Sequence, residues 1–125
     1  MLPKSGEARW TVLRRQATAD GMIGSMVTSF VESLKKLGRQ SGDVIAHNEA
    51  IIFSGVAAFE REAASFGATV DVGIISAAVA LSFADQTFPE DDWRKDNPTL
   101  ATWFDVFDQR PSMTETVLVD ARSFE

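Results

Sequence analysis

An all-α bundle is what this sequence predicts, and three observations predict it. Apolar residues recur at steps of three and four along most of the chain, and residues that start and stop helices fall between the periodic stretches. Alternation of the strand kind is confined to the short run from Thr116 to Val119. A length of 125 residues suits one domain, and 45% hydrophobic with 24% charged residues is ordinary globular composition rather than that of a disordered or low-complexity chain.

The first helix is expected over roughly residues 7 to 36. Trp10, Leu13, Ala17, Ile23, Val27, Phe30, Val31 and Leu34 follow helical steps with one gap, at Asp20-Gly21. Glycine inside a helix costs about 1 kcal/mol against alanine, so a bend or a close helix contact is expected there. Lys35 and Lys36 would sit over the negative helix end, and Gly38 would take the left-handed cap. After a polar loop from Gly38 to Asp43, the residues Ile52, Val56, Phe59, Ala63 and Phe66 mark one face of a second helix closed by Gly67. Asp71 is a good N-cap for a third, and the run that follows to Ala84 is apolar almost all round. Such a helix belongs at the centre, with Ser76, Ala77, Ala78 and Ala80 small enough to let neighbours approach. The segment Phe88 to Trp93 breaks the pattern, and Asn97-Pro98 restarts it as cap and first helical residue. Leu100, Trp103, Phe104 and Phe107 form the buried stripe of this fourth helix, which Arg110-Pro111 stops. Ser112 and Glu115, three apart, read as a capping box for a short terminal turn before a polar tail over 120–125.

Composition also limits the chemistry. The chain has no Cys and no Tyr and a single His, so thiolate metal ligation, disulfides and a cysteine nucleophile are excluded. A net charge of −6, concentrated in the second half (4 basic against 11 acidic residues over 63–125), disfavours nucleic acid and anionic membrane surfaces as partners. The longest nearly uncharged run, from Val72 to Ala84, is too short to span a bilayer, which takes ~20 residues. The N-terminus has no basic stretch followed by an apolar one, so a cytoplasmic location is expected.

Few side chains invite a functional role. His47 lacks a nameable orienting partner and reads as solvent-facing. Arg14-Arg15 and Lys35-Lys36 could receive an anion, but a solvated helix face is the commoner meaning of such pairs. Glu90-Asp91-Asp92 with Asp96 has carboxylates a hard cation would favour, without the glycine that shapes a calcium-loop turn, so no metal site is expected. Trp93, Trp103 and Arg110 read as structural anchors.

The order of these signals resembles the C-terminal helical domain of bacterial glutathione S-transferases. Trp93-Arg94, Asn97-Pro98, Leu100, Trp103-Phe104 and Phe107, followed by Arg110-Pro111-Ser112 and Thr116, resemble the end of that domain. Gly6 to Trp10, Leu13-Arg14, Gln16-Ala17 and Ala19-Asp20-Gly21 are similar to its opening helix, Phe59-Glu60 to the pair that closes the next, and Val72-Gly73-Ile74 to the start of the central one. The resemblance covers about residues 6 to 116. It implies four to five helices around a buried central helix, with 1–5 linker-like, 6–119 the helical domain and 120–125 the tail. It further implies that Met22, Met26, Phe30 and Leu34 line the substrate side of a hydrophobic electrophile pocket, although core or dimer contacts are an equal reading of the same four.

Three departures weaken any transfer of catalytic detail. Gly24 stands where many relatives carry the acid of D-G-x-x-D, Thr69 is followed three residues on by Val72 rather than Asp, and Leu118 stands where relatives commonly have proline. The thioredoxin-like domain that binds glutathione in the family, and supplies the group that stabilises its thiolate, has no counterpart in these residues. No catalytic residue and no cofactor is therefore expected, with glutathione entering as cosubstrate only if such a domain is supplied. The favoured expectation is a relative that is non-catalytic alone, binds a hydrophobic ligand or a protein partner and self-associates as a dimer; the alternatives are a fragment or split part of an active transferase that conjugates glutathione to an electrophile, and a docking scaffold in a protein complex.

Overall fold

A computed structural model of the chain describes residues 1–116, apart from the Leu37 side chain; the expected domain end at 119, the strand-like residues after Thr116, Leu118 and the polar tail lie outside the described residues. Five helices follow one another: α1 (Gly6–Ser33), α2 (Gly42–Glu62), α3 (Val72–Thr87), α4 (Pro98–Phe107) and α5 (Pro111–Thr114), with no strand among the described residues. Single 3-10 turns follow α1 at Leu37–Arg39 and α2 at Ala63–Ser65.

The central helix is where the sequence places it. Ile74, Ala77, Ala78, Ala80 and Leu81 of α3 are fully buried, with α1 and α4 packed against the helix. Val79 is 44% exposed, so the enclosure is open on one side. Asp71 caps α3 as expected, its Oδ1 accepting the Ile74 N–H at 2.8 Å. Around this helix the core takes Val56, Phe59, Ala63 and Phe66 from α2 and its extension, and Leu100, Phe104 and Phe107 from α4. Gly67, at φ +54°, makes the left-handed turn that closes the second helical stretch.

Several expectations are corrected at helix ends. Gly38 takes no left-handed conformation; α1 stops at Ser33 and Gly38 falls in the 3-10 turn. Helix α2 starts at Gly42, inside the expected loop, because Ser41 accepts the Val44 N–H at 3.2 Å. At α4, Asn97 occupies the cap position but its side chain donates backwards to the Trp93 carbonyl at 2.7 Å. The free N–H groups of Thr99 and Leu100 go instead to the carboxylate of Glu60, at 3.1 and 2.6 Å. Ser112 is no cap either: α5 begins at Pro111 with Arg110 in the extended cap conformation.

Of the bend or close helix contact expected at Asp20-Gly21, the close contact is absent. Helix α1 is continuous, and a Cβ added at Gly21 would meet nothing within 4 Å. Close approach occurs at two other glycines. The Met22 side chain lies 2.5 Å from where a Gly55 Cβ would stand, and the Val12 carbonyl oxygen lies 2.7 Å from that of Gly73. Gly55 thus brings α2 onto α1, and Gly73 brings α3 onto α1.

The larger correction concerns the face of α1. Its buried residues are Val12, Ala19, Met22, Ser25, Met26, Ser29 and Glu32. Trp10, Ala17, Val27, Val31 and Leu34, all members of the predicted apolar stripe, face solvent. At about 100° per residue the two sets lie on opposite sides of the helix. The helix carries apolar residues on both faces and polar ones on the inner face, so periodicity identified the helix without identifying its inside.

Candidate functional site

The four residues expected to line a pocket differ in burial along α1. Met22 and Met26 are in the core at 1% and 0% exposure, Phe30 is half-buried, and Leu34 is 64% exposed at the end of α1. Met22 packs against Gly55, so its side chain is spent on joining α1 to α2. None of the four lines any of the cavities described below.

The outward face of α1 is the surface the packing leaves open. Trp10 at 73%, Val27 at 45%, Val31 at 52% and Leu34 at 64% exposure share this side with the exposed Ala17, Asp20 and Gly24, so the face is low, apolar towards its C-terminal end and interrupted by one carboxylate between Trp10 and Val27. Monomeric proteins rarely leave an extended apolar strip uncovered.

Three of the four paired cations, Arg14, Arg15 and Lys35, are already engaged. Arg14 donates to both carboxylate oxygens of Glu62, at 2.9 and 2.6 Å, and Arg15 reaches the same group at 3.3 Å while lying 4.7 Å from the Phe66 ring centre. The hydrogen bond from Arg14, ahead of the cost of burial, holds the Glu62 carboxyl below its ordinary value, and Glu62 in turn raises the Arg14 guanidinium. At the far end of α1 the buried Glu32 accepts the Ser41 N–H at 2.7 Å and pairs with Lys35 at 2.7 Å. Lys35 first, then Ser41, holds the Glu32 carboxyl low. Both carboxylates fasten α1 to α2 or its approach, and between them they occupy Arg14, Arg15 and Lys35.

His47 is exposed within α2, one turn past the start of that helix. Among the described residues no three His, Asp or Glu side chains converge as metal ligands, and no helix is long and apolar enough to cross a membrane.

A polar cluster that sequence reasoning missed orders the segment between α3 and α4. Asp85 accepts from Arg94 through two bonds of 2.8 Å and from the Trp93 indole N–H at 2.9 Å. Arg94 also lies 4.6 Å from the Trp93 ring centre and 5.4 Å from that of Phe104. Asp85, foremost by its hydrogen bonds, raises the Arg94 guanidinium further. The only sequence signal was the adjacency of Trp93 and Arg94; nothing marked Asp85 as their partner.

Beside this cluster is a small cavity of about 30 Å³ walled by Phe53 and Val56 of α2 and by Phe88 and Trp93, with Glu49 and Asp91 also among the residues that line it. A more open groove of about 380 Å³ runs between Gly67–Val70 and α4, past Trp103 to Arg110.

No protein-family model matches the sequence, and no curated protein does. Solved structures do match. A glutathione transferase family member from Pseudomonas fluorescens Pf-5, solved with bound glutathione, is 32% identical with a TM-score of 0.90 over 95% of this chain and 59% of its own. The structure from the same organism with bound S-(propanoic acid)-glutathione is also 32% identical, TM-score 0.89, with 62% of that chain covered. A glutathione S-transferase from Methylobacterium radiotolerans in complex with glutathione sulfonate is 25% identical, TM-score 0.83, over 95% of this chain and 60% of that one. The chain therefore spans about three fifths of the length of the structures it matches.

Proposed function

This chain carries the fold of the C-terminal helical domain of the glutathione transferase family, and from that premise we propose that it binds a hydrophobic ligand or a protein partner through the outward face of α1 and does not catalyse by itself. The observation that carries the proposal is that face: four large apolar side chains between 45% and 73% exposed on the opposite side of α1 from the core. Burying such side chains is favourable by about 25 cal/mol per Å² of apolar surface, so a partner covering the strip gains from each of them. A second copy of the chain is the simplest such partner, making a symmetric dimer. Catalysis of the transferase kind requires a glutathione thiol shifted towards thiolate by a donor or a positive field. This chain has neither Cys nor Tyr, its one His is exposed, and Arg14 is already engaged by Glu62. A cytoplasmic location belongs to the same proposal.

A second reading has an observation of its own. The matched structures hold glutathione or its derivatives, and this chain corresponds to about three fifths of each. On that reading these helices are the electrophile side of an active transferase, and the missing chemistry comes from a thioredoxin-like domain. Conjugation of glutathione assayed after a thioredoxin-like transferase domain is supplied tests the second reading, and calorimetry of the chain alone with millimolar glutathione tests the first. No heat of binding is expected under the first reading, and saturable binding would overturn it. Light scattering of the chain at micromolar concentration tests self-association: a dimer mass is expected, and a monomer would remove the second copy as the partner.

A further inference from the structure

The groove beside α4 shares no residue with the outward face of α1 and is independent of the role proposed for that face. One wall is the loop Gly67–Val70; the other is α4, through Thr102, Trp103, Val106 and Phe107, with Arg110 at the end. A more open depression of about 520 Å³ continues it past Thr102 and Trp103 to Pro98 and Ala63. Pro98–Phe107 is ten residues of helix, so the apolar strip is about 14 Å long. Its walls are set before any ligand arrives. Gly67 makes its left-handed turn, the Thr69 N–H donates to the Phe66 carbonyl at 3.2 Å, and the Trp103 ring lies 5.0 Å from that of Phe66 and 5.2 Å from that of Phe107. A wall ordered beforehand loses little entropy when a small ligand enters.

Charge is confined to one end. Among the described residues Arg110 is the only charged one lining the groove, and no acidic residue lines the groove or its continuation. Stacking places the guanidinium there: its carbon lies 5.2 Å from the centre of the Phe107 ring, itself part of the lining. Arg14, Arg15 and Arg94 are each taken up by a carboxylate, whereas Arg110 makes no ion pair among the described residues. Asp105, an acid of the same helix, is turned to Arg94 at 3.4 Å. The net charge of −6 is screened beyond ~8 Å at physiological salt, so it does not bar a single carboxylate in contact with Arg110. Along the strip Val106 is 72% and Val70 37% exposed, apolar surface that an alkyl chain would remove from water. An elongated apolar strip that ends on an unpaired guanidinium matches a molecule with a hydrocarbon chain and a terminal carboxylate.

We propose that this groove binds a medium-chain alkyl carboxylate, the carboxylate on Arg110 and the chain along Phe107, Val106 and Trp103. The test is a backbone and indole amide NMR titration of the chain with hexanoate at constant ionic strength, set against 1-hexanol and n-hexylammonium. Saturable shifts at Val70, Val106 and the Trp103 indole are expected with hexanoate, weaker ones with 1-hexanol and none with n-hexylammonium. Arg110→Gln should bind hexanoate about fivefold more weakly, the limit for an exposed ion pair. Val106→Glu, which sets a carboxylate on the strip one helical turn from Arg110, should abolish the response. Both residues are exposed, so both variants are expected to fold. Val31→Glu, on the outward face of α1, should bind hexanoate unchanged. Absence of saturation into the tens of millimolar, equal binding of n-hexylammonium, undiminished binding by Arg110→Gln, or loss of binding in Val31→Glu would each overturn the proposal. Shifts of the Trp103 indole that follow chain concentration rather than hexanoate would overturn it too, and assign the groove to a second copy of the chain.

Discussion

Gly73 and Gly24 show how much the same residue type differs with its surroundings. A Cβ at Gly73 would stand 2.7 Å from the Val12 carbonyl oxygen and 3.2 Å from the Val12 Cα, backbone atoms that cannot turn aside. Gly73→Ala is therefore expected to lower stability by about 1–3 kcal/mol, as overpacking does. At Gly24 an added Cβ meets nothing within 4 Å, and the residue lies inside α1. Gly24→Ala should raise stability by about 0.5–1 kcal/mol. Urea unfolding of the two variants checks both signs together, and stabilisation by Gly73→Ala would show that α1 and α3 do not approach as described. Glu60 is a third residue whose surroundings decide its meaning. Its carboxylate receives two N–H groups at the start of α4, a helix some forty residues further along the chain. Glu60→Ala is expected to cost about 1 kcal/mol as a lost cap, and more than any loss from Ser112→Ala, whose side chain caps nothing.

At the scale of the element, α1 is fastened to α2 by a carboxylate at each end, Glu62 near its N-terminal half and Glu32 near its C-terminus. Both carboxyl groups are held below their ordinary value of 4.5, by Arg14 and by Lys35 with Ser41 respectively. In the pH range below that value the unfolded chain binds more protons than the folded one, so stability there rises with pH. The contribution is fully present above about pH 5 and is lost as pH falls through the folded values. The urea midpoint should fall as pH is lowered from 5 towards 3, and Glu32→Gln/Glu62→Gln should flatten that slope. An unchanged slope in the variant would show that these two groups do not carry the linkage. The same helix explains a misleading pattern. Its inner face holds Ser25, Ser29 and Glu32, the last satisfied by the Ser41 N–H and Lys35, while the outer face holds Trp10, Val31 and Leu34.

For the whole molecule, the open question is what covers the outer face of α1. Val31 is 52% exposed, so Val31→Glu should leave the unfolding free energy of the dilute chain within about 0.5 kcal/mol. The same variant should prevent the proposed self-association and sediment as a monomer at micromolar concentration, because a charge placed in an apolar contact is left without water or partner. A Val31→Glu chain that still sediments as a dimer would mean that self-association uses another surface. The groove between Gly67–Val70 and α4, with Trp103 in its floor, is the next surface to examine in that case.

The sequence by itself determined the helical class, the central place of α3, the Asp71 cap and the core stripes of α2 and α4. Each of those rests on local chemistry or on a periodicity with one apolar face, which the chain carries wherever it is placed. Only the tertiary structure decided which face of α1 turns inward, since a helix apolar on two sides leaves the choice to its neighbours and to the close approach that Gly55 and Gly73 permit. It also decided that Glu60 rather than Asn97 serves α4, that Asp85 binds Trp93 and Arg94, and that Met22 and Met26 are core while Leu34 is surface. Those outcomes depend on groups far apart in the chain, or on opposite sides of one helix, and are settled only when the helices pack.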